Sequence, residues 1–568
     1  MVVLFGCFGL MTARLVVLQV VEFPRYAALA ADYRERVIVL PAQRGSIYDR
    51  DGDSLAVTVD LQAVIADPTQ VTDVPKEAAK LARVLDMRPR KVARALEGAA
   101  EGSHYSPVAH EVDDDAAAKV DDLELDGITL VAEPKRIYPG GRLASHILGF
   151  VNDYGDALEG IESEFDGILK GKPGKIIQEQ DPYQRALPQV GYTEVPAVPG
   201  RSLFLTIDKE IQYFTEQTLA AAAKEYRAES GTAIVIRVST GEILAMANVP
   251  DFDPNNFSDF DADERRNRAV TDNFEPGSVF KVVTAAAALE ENIATPDTVY
   301  SVPDSLQVSD RVIHDSHSHP EENMTFTDVI ADSSNVGTVQ IGIALGKELL
   351  DSWVRRFGFG KETGLDFPGE AHGIVLDPDK WYGSTISQIP MGQGIAVTSI
   401  QLVSAYAAVG NGGMWVEPKL VHATLDSEGT PVQAAPPARR RVLSRTTARE
   451  VLDILSEVVE RGTGIEAAVP GYAVAGKTGT AQKPLSTGGY GNSYIASFAG
   501  IAPADHPNIA VLVSFDDPSP IWGGSTAAPT FQKIVEFTLR HLGVPPTANP
   551  EKDLEDLRTL PEEPLVHD

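Results

Sequence analysis

Ser278 and Lys281 are three residues apart in Glu275-Pro276-Gly277-Ser278-Val279-Phe280-Lys281, a stretch that runs into the apolar, alanine-rich segment Val282 to Leu289. Pro276 and Gly277 resist a helix interior and the residues after them favour one, so the pattern predicts a helix that begins at the serine. A spacing of three sets the hydroxyl and the amine on one face. A hydroxyl at a helix N-terminus, beside an amine that can lose its proton, is the arrangement of an activated serine nucleophile. Alone, the same serine reads as a helix cap. The chemistry therefore depends on partners elsewhere in the chain.

Two further stretches supply candidates. Ser333-Ser334-Asn335 follows the helical pattern Phe326 to Ala331, and Lys477-Thr478-Gly479-Thr480 ends an apolar strand pattern. Each has a plainer reading, the first as a turn and the second as an exposed strand end. A sharper rival is Gly471 to Thr478, which matches the phosphate-loop pattern G-x-x-x-x-G-K-[ST]. That motif needs a helix opening at its lysine, whereas Ala481-Gln482-Lys483-Pro484 and a glycine-rich loop follow here. His314, His317 and His319 crowd one short loop in the manner of metal ligands, or of ordinary polar surface.

Ser278-x-x-Lys281, Ser333-x-Asn335 and Lys477-Thr478-Gly479 occur in the order and approximate spacing of the penicillin-recognising serine transferases, with Ser in place of Asp in the middle of the second motif. The resemblance extends to class B penicillin-binding proteins. Arg44 to Arg50, Pro139 to His146, Gly160-Ile161-Glu162 and Gly171 to Gly174 are similar to that class's N-terminal module. Met391 to Gly394 and Trp522 to Ser525 resemble its later landmarks. Ser333-Ser334-Asn335-Val336-Gly337 looks more like the division (septal) type than the elongation type.

The resemblance implies a peptidoglycan D,D-transpeptidase without a cofactor. Ser278 would attack the carbonyl of a D-Ala-D-Ala peptide bond in a stem peptide, and an acceptor amine from a second stem would then form the cross-link. Lys281 must be neutral to take the serine proton, so burial and the charge of Lys477 are expected to pull its pKa below about 10.4. Ser333 would relay a proton to the leaving amine and Asn335 would hold the donor's backbone amide. Lys477, Thr478 and Thr480, with Gly479 between them, would hold the terminal carboxylate. The backbone N–H groups of Ser278 and Thr480 would form the oxyanion hole. β-Lactam antibiotics would enter by the same route. A polytopic membrane glycosyltransferase of the shape/division type and other division proteins are the implied partners. A carboxypeptidase or β-lactamase of the same superfamily, an elongation-type enzyme, and an idle scaffold or β-lactam sensor stay open as alternatives.

The elements that must position these residues follow an α+β pattern. Asp208 can cap a helix bearing Ile211, Phe214, Leu219, Ala222 and Tyr226, and Ala233 to Ile236 with Ile243 to Met246 read as a hairpin. Strands return at Tyr472 to Thr480, Ala496 to Ile501 and Ile509 to Phe515, and a helix over Ala528 to Leu542 closes the domain. This predicts an antiparallel five-stranded sheet flanked by helices, plus an all-helical subdomain. It is preceded by a membrane helix and an elongated mixed α/β module. Expected boundaries are 1–22 for the anchor, 33–191 for a non-catalytic pedestal of the dimerisation type and 200–543 for the transpeptidase domain. A proline-rich acidic tail occupies 545–568, and Val195 to Gly200 is the expected linker. Within the pedestal, a strand is expected at Val37 to Leu40, a helix over Val74 to Ala99 and a solvated acidic stretch over Asp113 to Asp122.

The length of 568 residues exceeds one ordinary domain. A net charge of −32 leaves nothing to neutralise phosphates, which argues against nucleic acid as a partner. Cys7 is the lone cysteine, so neither an intrachain disulfide nor a cysteine metal site is available. Val2 to Val21 is almost wholly apolar, and about twenty residues at about 1.5 Å each span a bilayer core of about 30 Å. No small-residue cleavage site follows, so the segment reads as a single-pass anchor in the cell membrane with the bulk of the chain extracytoplasmic. Arg14 at mid-bilayer would cost about 2.5–3.5 kcal/mol, and no basic residues precede the run. Both features are expected if the natural chain starts further upstream.

Overall fold

The computed structural model describes residues 1–26, 35–98, 103–179, 192–426, 428–485 and 488–546. The expected acidic tail lies, from 547 on, outside the described residues. The chain divides into two compact units, one of 1–45, 57–137 and 167–202, the other of 46–56, 138–166 and 203–568. The chain therefore passes between the units several times, and the single divide expected at 195–200 lies close to only the last of these crossings.

In the larger unit, helix α1 (Lys209–Glu225) starts where the Asp208 carboxylate accepts from the Ile211 N–H at 3.2 Å. Its Ile211, Leu219 and Ala222 face inward as the spacing predicts. Strands β1 (Ser230–Arg237) and β2 (Ile243–Val249) form the expected hairpin. With β3 (Ala475–Pro484), β4 (Tyr490–Ala502) and β5 (Ile509–Asp516) they make one antiparallel sheet, in the order β2-β1-β5-β4-β3. The two ends of this unit thus complete a common sheet. Its closing helix, α6 (Ala527–His541), packs with α1 on one face through Phe531, Ile534 and Val535, against Val235, Val511 and Val513. Each such fully buried side chain contributes roughly 1.5–3 kcal/mol.

Helix α2 (Lys281–Glu290) is buried along its whole length to Leu289, which explains its valine and alanine composition: an all-round apolar helix lies in the core. Against it pack α3 (Asn335–Leu345), the helix Lys347–Phe357 and α5 (Arg445–Glu460), while α4 (Ser399–Gly410) lies between α5 and the sheet. The middle of the unit is not wholly helical. Val299–Val302 pairs with Glu322–Thr325, and Ser305–Val308 with Arg311–His314, as short antiparallel ladders.

In the smaller unit, the strand from Val57 to Ala66 pairs antiparallel with Ile128–Ile137 and with Ser106–Val112. Leu81, Val92 and Leu96 from two helices close its core. The single helix expected over Val74 to Ala99 is two, Val74–Val84 and Pro89–Glu97, because Asp86 takes a left-handed φ of 50° and Pro89 restarts the helix. The acidic stretch expected to be solvated is also a helix, Asp114–Asp121. Asp113 caps it by accepting from the Ala116 N–H at 2.7 Å, and Ala117 and Val120 turn inward. Its aspartates are all exposed, as expected of a solvated surface stretch, and those at its N-terminus complement the helix dipole. The strand expected at Val37 to Leu40 forms as Glu35–Leu40, paired with Gly174–Glu179. Leu4–Val21 is the one stretch among the described residues that is long and apolar enough to cross a membrane.

Candidate active site

Ser278 lies in a 3₁₀ turn, Gly277–Phe280, that runs directly into α2. A 3₁₀ turn eclipses positions i and i+3, so Lys281 follows Ser278 on the same side more closely than an α-helical start would bring it. Neither this turn nor α2 is capped by an N-cap side chain. The N-cap positions are Pro276 and Phe280, so Ser278 is not the helix cap that the plainer reading gave it.

Lys281 is fully buried, and its Nζ donates to the Ser333 carbonyl oxygen at 2.7 Å, to Asn335 Oδ1 at 2.9 Å and to Ser333 Oγ at 3.3 Å. One amine thus joins the first two motifs. Burial depresses its pKa to about 7, opposed by the Asp315 carboxylate. The charge of Lys477, expected to be a cause, does not account for this depression. The repulsion between the two lysines weighs instead on Lys477, which burial first and then the Lys281 charge push far below the ordinary range. Two enclosed ammonium groups near each other are costly, and both lysines are held below the ordinary range.

Ser333 holds a left-handed φ of 62°, rare for a residue with a Cβ, which turns its carbonyl and hydroxyl together toward Lys281. The corner that follows is pinned by Asp315. Its carboxylate accepts from the Ser334 hydroxyl at 2.7 Å, the Val336 N–H at 3.0 Å and the Asn335 N–H. His319 Nε2 lies 3.1 Å from the same carboxylate. The Pro320 carbonyl and then Asp315 raise the pKa of His319. Sequence reasoning missed Asp315 because the residues around it were weighed as metal ligands. In this loop the His314 backbone carbonyl accepts from Asn335 Nδ2, His317 Nδ1 lies 3.0 Å from Ser316 Oγ, and the His319 ring meets Asp315.

The third motif lies on β3. Lys477 is fully buried, with Nζ 3.4 Å from both Thr463 Oγ1 and Thr478 Oγ1, and those two hydroxyls are 2.7 Å apart. Thr463, in a loop without a motif, gave no signal in the sequence. Thr480 Oγ1 accepts from the Gly523 N–H at 3.2 Å. Gly479 is needed for closeness: a Cβ there would lie 2.5 Å from Ser497 Oγ and 3.1 Å from the Pro276 carbonyl. Without it, β3 could not approach the Ser278 turn. The phosphate-loop reading fails here, since Lys477 sits within a strand rather than at a helix start.

These groups open on one cleft of about 630 Å³, lined by Ser278, Ser333, Asn335, Thr478, Thr480 and Trp522 among others. A buried amine beside a hydroxyl and an amide, with a second buried amine and hydroxyl groups on β3, is an arrangement that acyl transfer on a substrate ending in a carboxylate could use.

Known proteins share this architecture. Residues 231–536 match the family model of the penicillin binding protein transpeptidase domain, and 39–205 that of the penicillin-binding protein dimerisation domain. Penicillin-binding protein PbpB of Mycolicibacterium smegmatis is 34% identical over 573 residues, covering 93% of this chain and 88% of its own length. Peptidoglycan D,D-transpeptidase FtsI of Escherichia coli is 34% identical over 559 residues, covering 96% and 92%. Penicillin binding protein 3 of Mycobacterium tuberculosis, solved in complex with aztreonam, is 32% identical with a TM-score of 0.72, over 90% of this chain and 99% of that one.

Proposed function

This chain belongs to the class B penicillin-binding proteins, resembling the division-type peptidoglycan D,D-transpeptidases, and we propose that Ser278 carries its acyl-enzyme. The enzyme cross-links stem peptides in septal wall synthesis and binds β-lactams covalently at the same serine. Neutral Lys281 takes the Ser278 proton as Oγ bonds to the penultimate D-Ala carbonyl carbon. The backbone N–H groups of Ser278 and Thr480 receive the developing oxyanion. The C–N bond to the terminal D-Ala then breaks, and the proton passes by way of Ser333 to the leaving amine. In the second half, the acceptor amine bonds to the same carbon, the C–Oγ bond breaks, and the amine's proton returns to Ser278 through Lys281.

Asn335 holds the donor's amide, while Lys477, Thr478 and Thr480 bind its carboxylate, with Gly479 keeping the strand close. The incoming carboxylate supplies the counter-charge that restores a proton to Lys477. The observation that supports these roles is that one buried amine, that of Lys281, bonds to both Ser333 and Asn335. The membrane anchor of residues 1–22 would hold an extracytoplasmic body, with the pedestal of 33–191 docking the glycosyltransferase and other division proteins. The transpeptidase domain occupies 200–543.

The test is labelling by a fluorescent penicillin followed by turnover of a D-Ala-D-Ala donor. Ser278→Ala should abolish labelling in folded protein, and persistent labelling would sink the assignment. Cross-linked product with an added acceptor amine marks a transpeptidase, whereas free D-Ala alone marks a carboxypeptidase.

A further inference from the structure

Beyond the catalytic cleft the larger unit holds a second one, of about 720 Å³. It is bounded by the ends of β1 and β5, the segment before Ser278 and the far end of β3. The two clefts meet at Gln482, which lines both, while Thr478 and Thr480 line only the catalytic cleft and Lys483 and Pro484 only the second. Glu275 stands at this seam. Its carboxylate lines the second cleft and accepts from the Tyr490 hydroxyl at 3.0 Å and the Gly394 N–H at 3.0 Å, and Tyr490 lines the first.

β3 lies at the edge of its sheet, so its outer side can take an extended peptide as a further strand. The strand is buried through Gly479 and opens from Thr480 onward, apart from Ala481. A donor whose carboxylate end sits on Lys477, Thr478 and Thr480 must therefore send its preceding residues along Gln482 to Pro484, into the second cleft. At about 3.3 Å per residue, Thr480 to Pro484 covers about 13 Å, or about four residues of stem. In a cross-linking reaction one kind of peptide serves as donor and as acceptor. The donor therefore carries, on its own side chain, the amine that the acceptor uses. That amine is an ammonium in water, and a half-buried carboxylate is its natural counter-charge. Burial raises the pKa of Glu275 against the Gly394 N–H, the Tyr490 hydroxyl and the more distant Arg311 charge, so its carboxylate is only partly compensated.

We propose that the second cleft binds the donor stem peptide upstream of the scissile bond, and that Glu275 receives the ammonium of its amine-bearing side chain. Glu275 is thus a specificity residue for the donor, about 11 Å at most along the chain from Ser278. This rests on the transpeptidase reading above.

The test uses the full chain in detergent and two D-Ala-D-Ala donor peptides that differ only in a lysine side chain, free in one and Nε-acetylated in the other. The free amine is expected to raise kcat/KM for D-Ala release about tenfold, and Glu275→Gln is expected to bring the ratio near one. Equal rates in the wild type, a result that needs no variant, would overturn the proposal, as would an undiminished preference in Glu275→Gln. Tyr490→Phe, which removes one donor to Glu275 but leaves the carboxylate, is expected to keep a preference; its loss there would assign the amine to the tyrosine instead. Failure to release D-Ala from either peptide would overturn the transpeptidase reading itself, whereas equal release from both overturns only the amine site.

Discussion

Lys281 Nζ donates to Asn335 Oδ1 at 2.9 Å, so a side chain on the helix after the nucleophile and one at the start of α3 share a buried proton. All three hydrogen bonds of Nζ go to oxygens of Ser333 and Asn335, which is the bonding of an ammonium. The base needed for acylation is the same nitrogen without one proton. With its pKa near 7 the amine gains that form within the physiological range. The rate of acylation by a penicillin should rise with pH through about 7 and level off above it. Stopped-flow acylation from pH 5.5 to 9 checks this. A profile still climbing steeply at pH 9 would mean that burial does not prepare the lysine.

Asp315 acts on the same nitrogen from a distance. Its charge raises the Lys281 pKa, while its oxygens fix the Ser334–Val336 corner. Asp315→Asn keeps the size but removes the charge and some accepting capacity. Acylation at pH 8 should slow by about tenfold or more, and the inflection of the pH profile should move downward. A purely structural role for Asp315 would lower the rate without moving the inflection.

The legible parts of the sequence were those in which one residue type has one use. Ser278, Lys281, Ser333, Asn335 and the Lys477 strand carry polar groups at fixed spacing in apolar surroundings, and β1, β2 and β5 are largely apolar runs. Asp315 and Thr463 were illegible because their work is done across loops, at sequence distances of 20 residues from Asn335 and 15 from Thr478. The helix Asp114–Asp121 was hidden behind its acidic residues, which are solvated as their charge suggests and cap the helix as well. The repeated crossings between the units also leave no compositional mark, since each is a short connection inside ordinary sequence.

Gly392 offers a steric test of how the nucleophile's turn is supported. Its φ of +79° is left-handed, and a Cβ there would come within 2.1 Å of the Gly277 carbonyl oxygen. Its own carbonyl accepts from the Gly277 N–H at 3.0 Å. Gly392→Ala should therefore displace the residue next to Ser278 as well as strain its own backbone, at a cost of about 1–3 kcal/mol for the backbone alone. Slower acylation together with a lower Tm is expected. Normal acylation with only a lower Tm would show that the Ser278 turn holds without this support.

Glu216 on α1 is the partly buried acid whose titration should be visible in stability rather than in catalysis. Oε1 accepts from Gln212 Nε2 at 2.7 Å and from the Ala144 N–H at 2.8 Å, yet burial, with Asp251 adding to it, raises the pKa to about 8. An unfolded glutamate titrates near about 4.3. Between those values the folded chain holds a proton that the unfolded chain lacks, so stability falls as pH rises through that window and flattens above about 8. Gln212 cannot turn over to suit a new neighbour, because Met246 fixes both ends of its amide. A glutamine at 216 can still offer one oxygen to Gln212 and Ala144, with its NH₂ in place of the second oxygen. Glu216→Gln should thus raise Tm at pH 8.5 and leave it little changed at pH 5. Thermal unfolding of both proteins across that range measures the difference. An equal shift at every pH would assign the effect to packing, and a loss of stability at pH 8.5 would mean that the ionised carboxylate is what the Ala144 N–H requires.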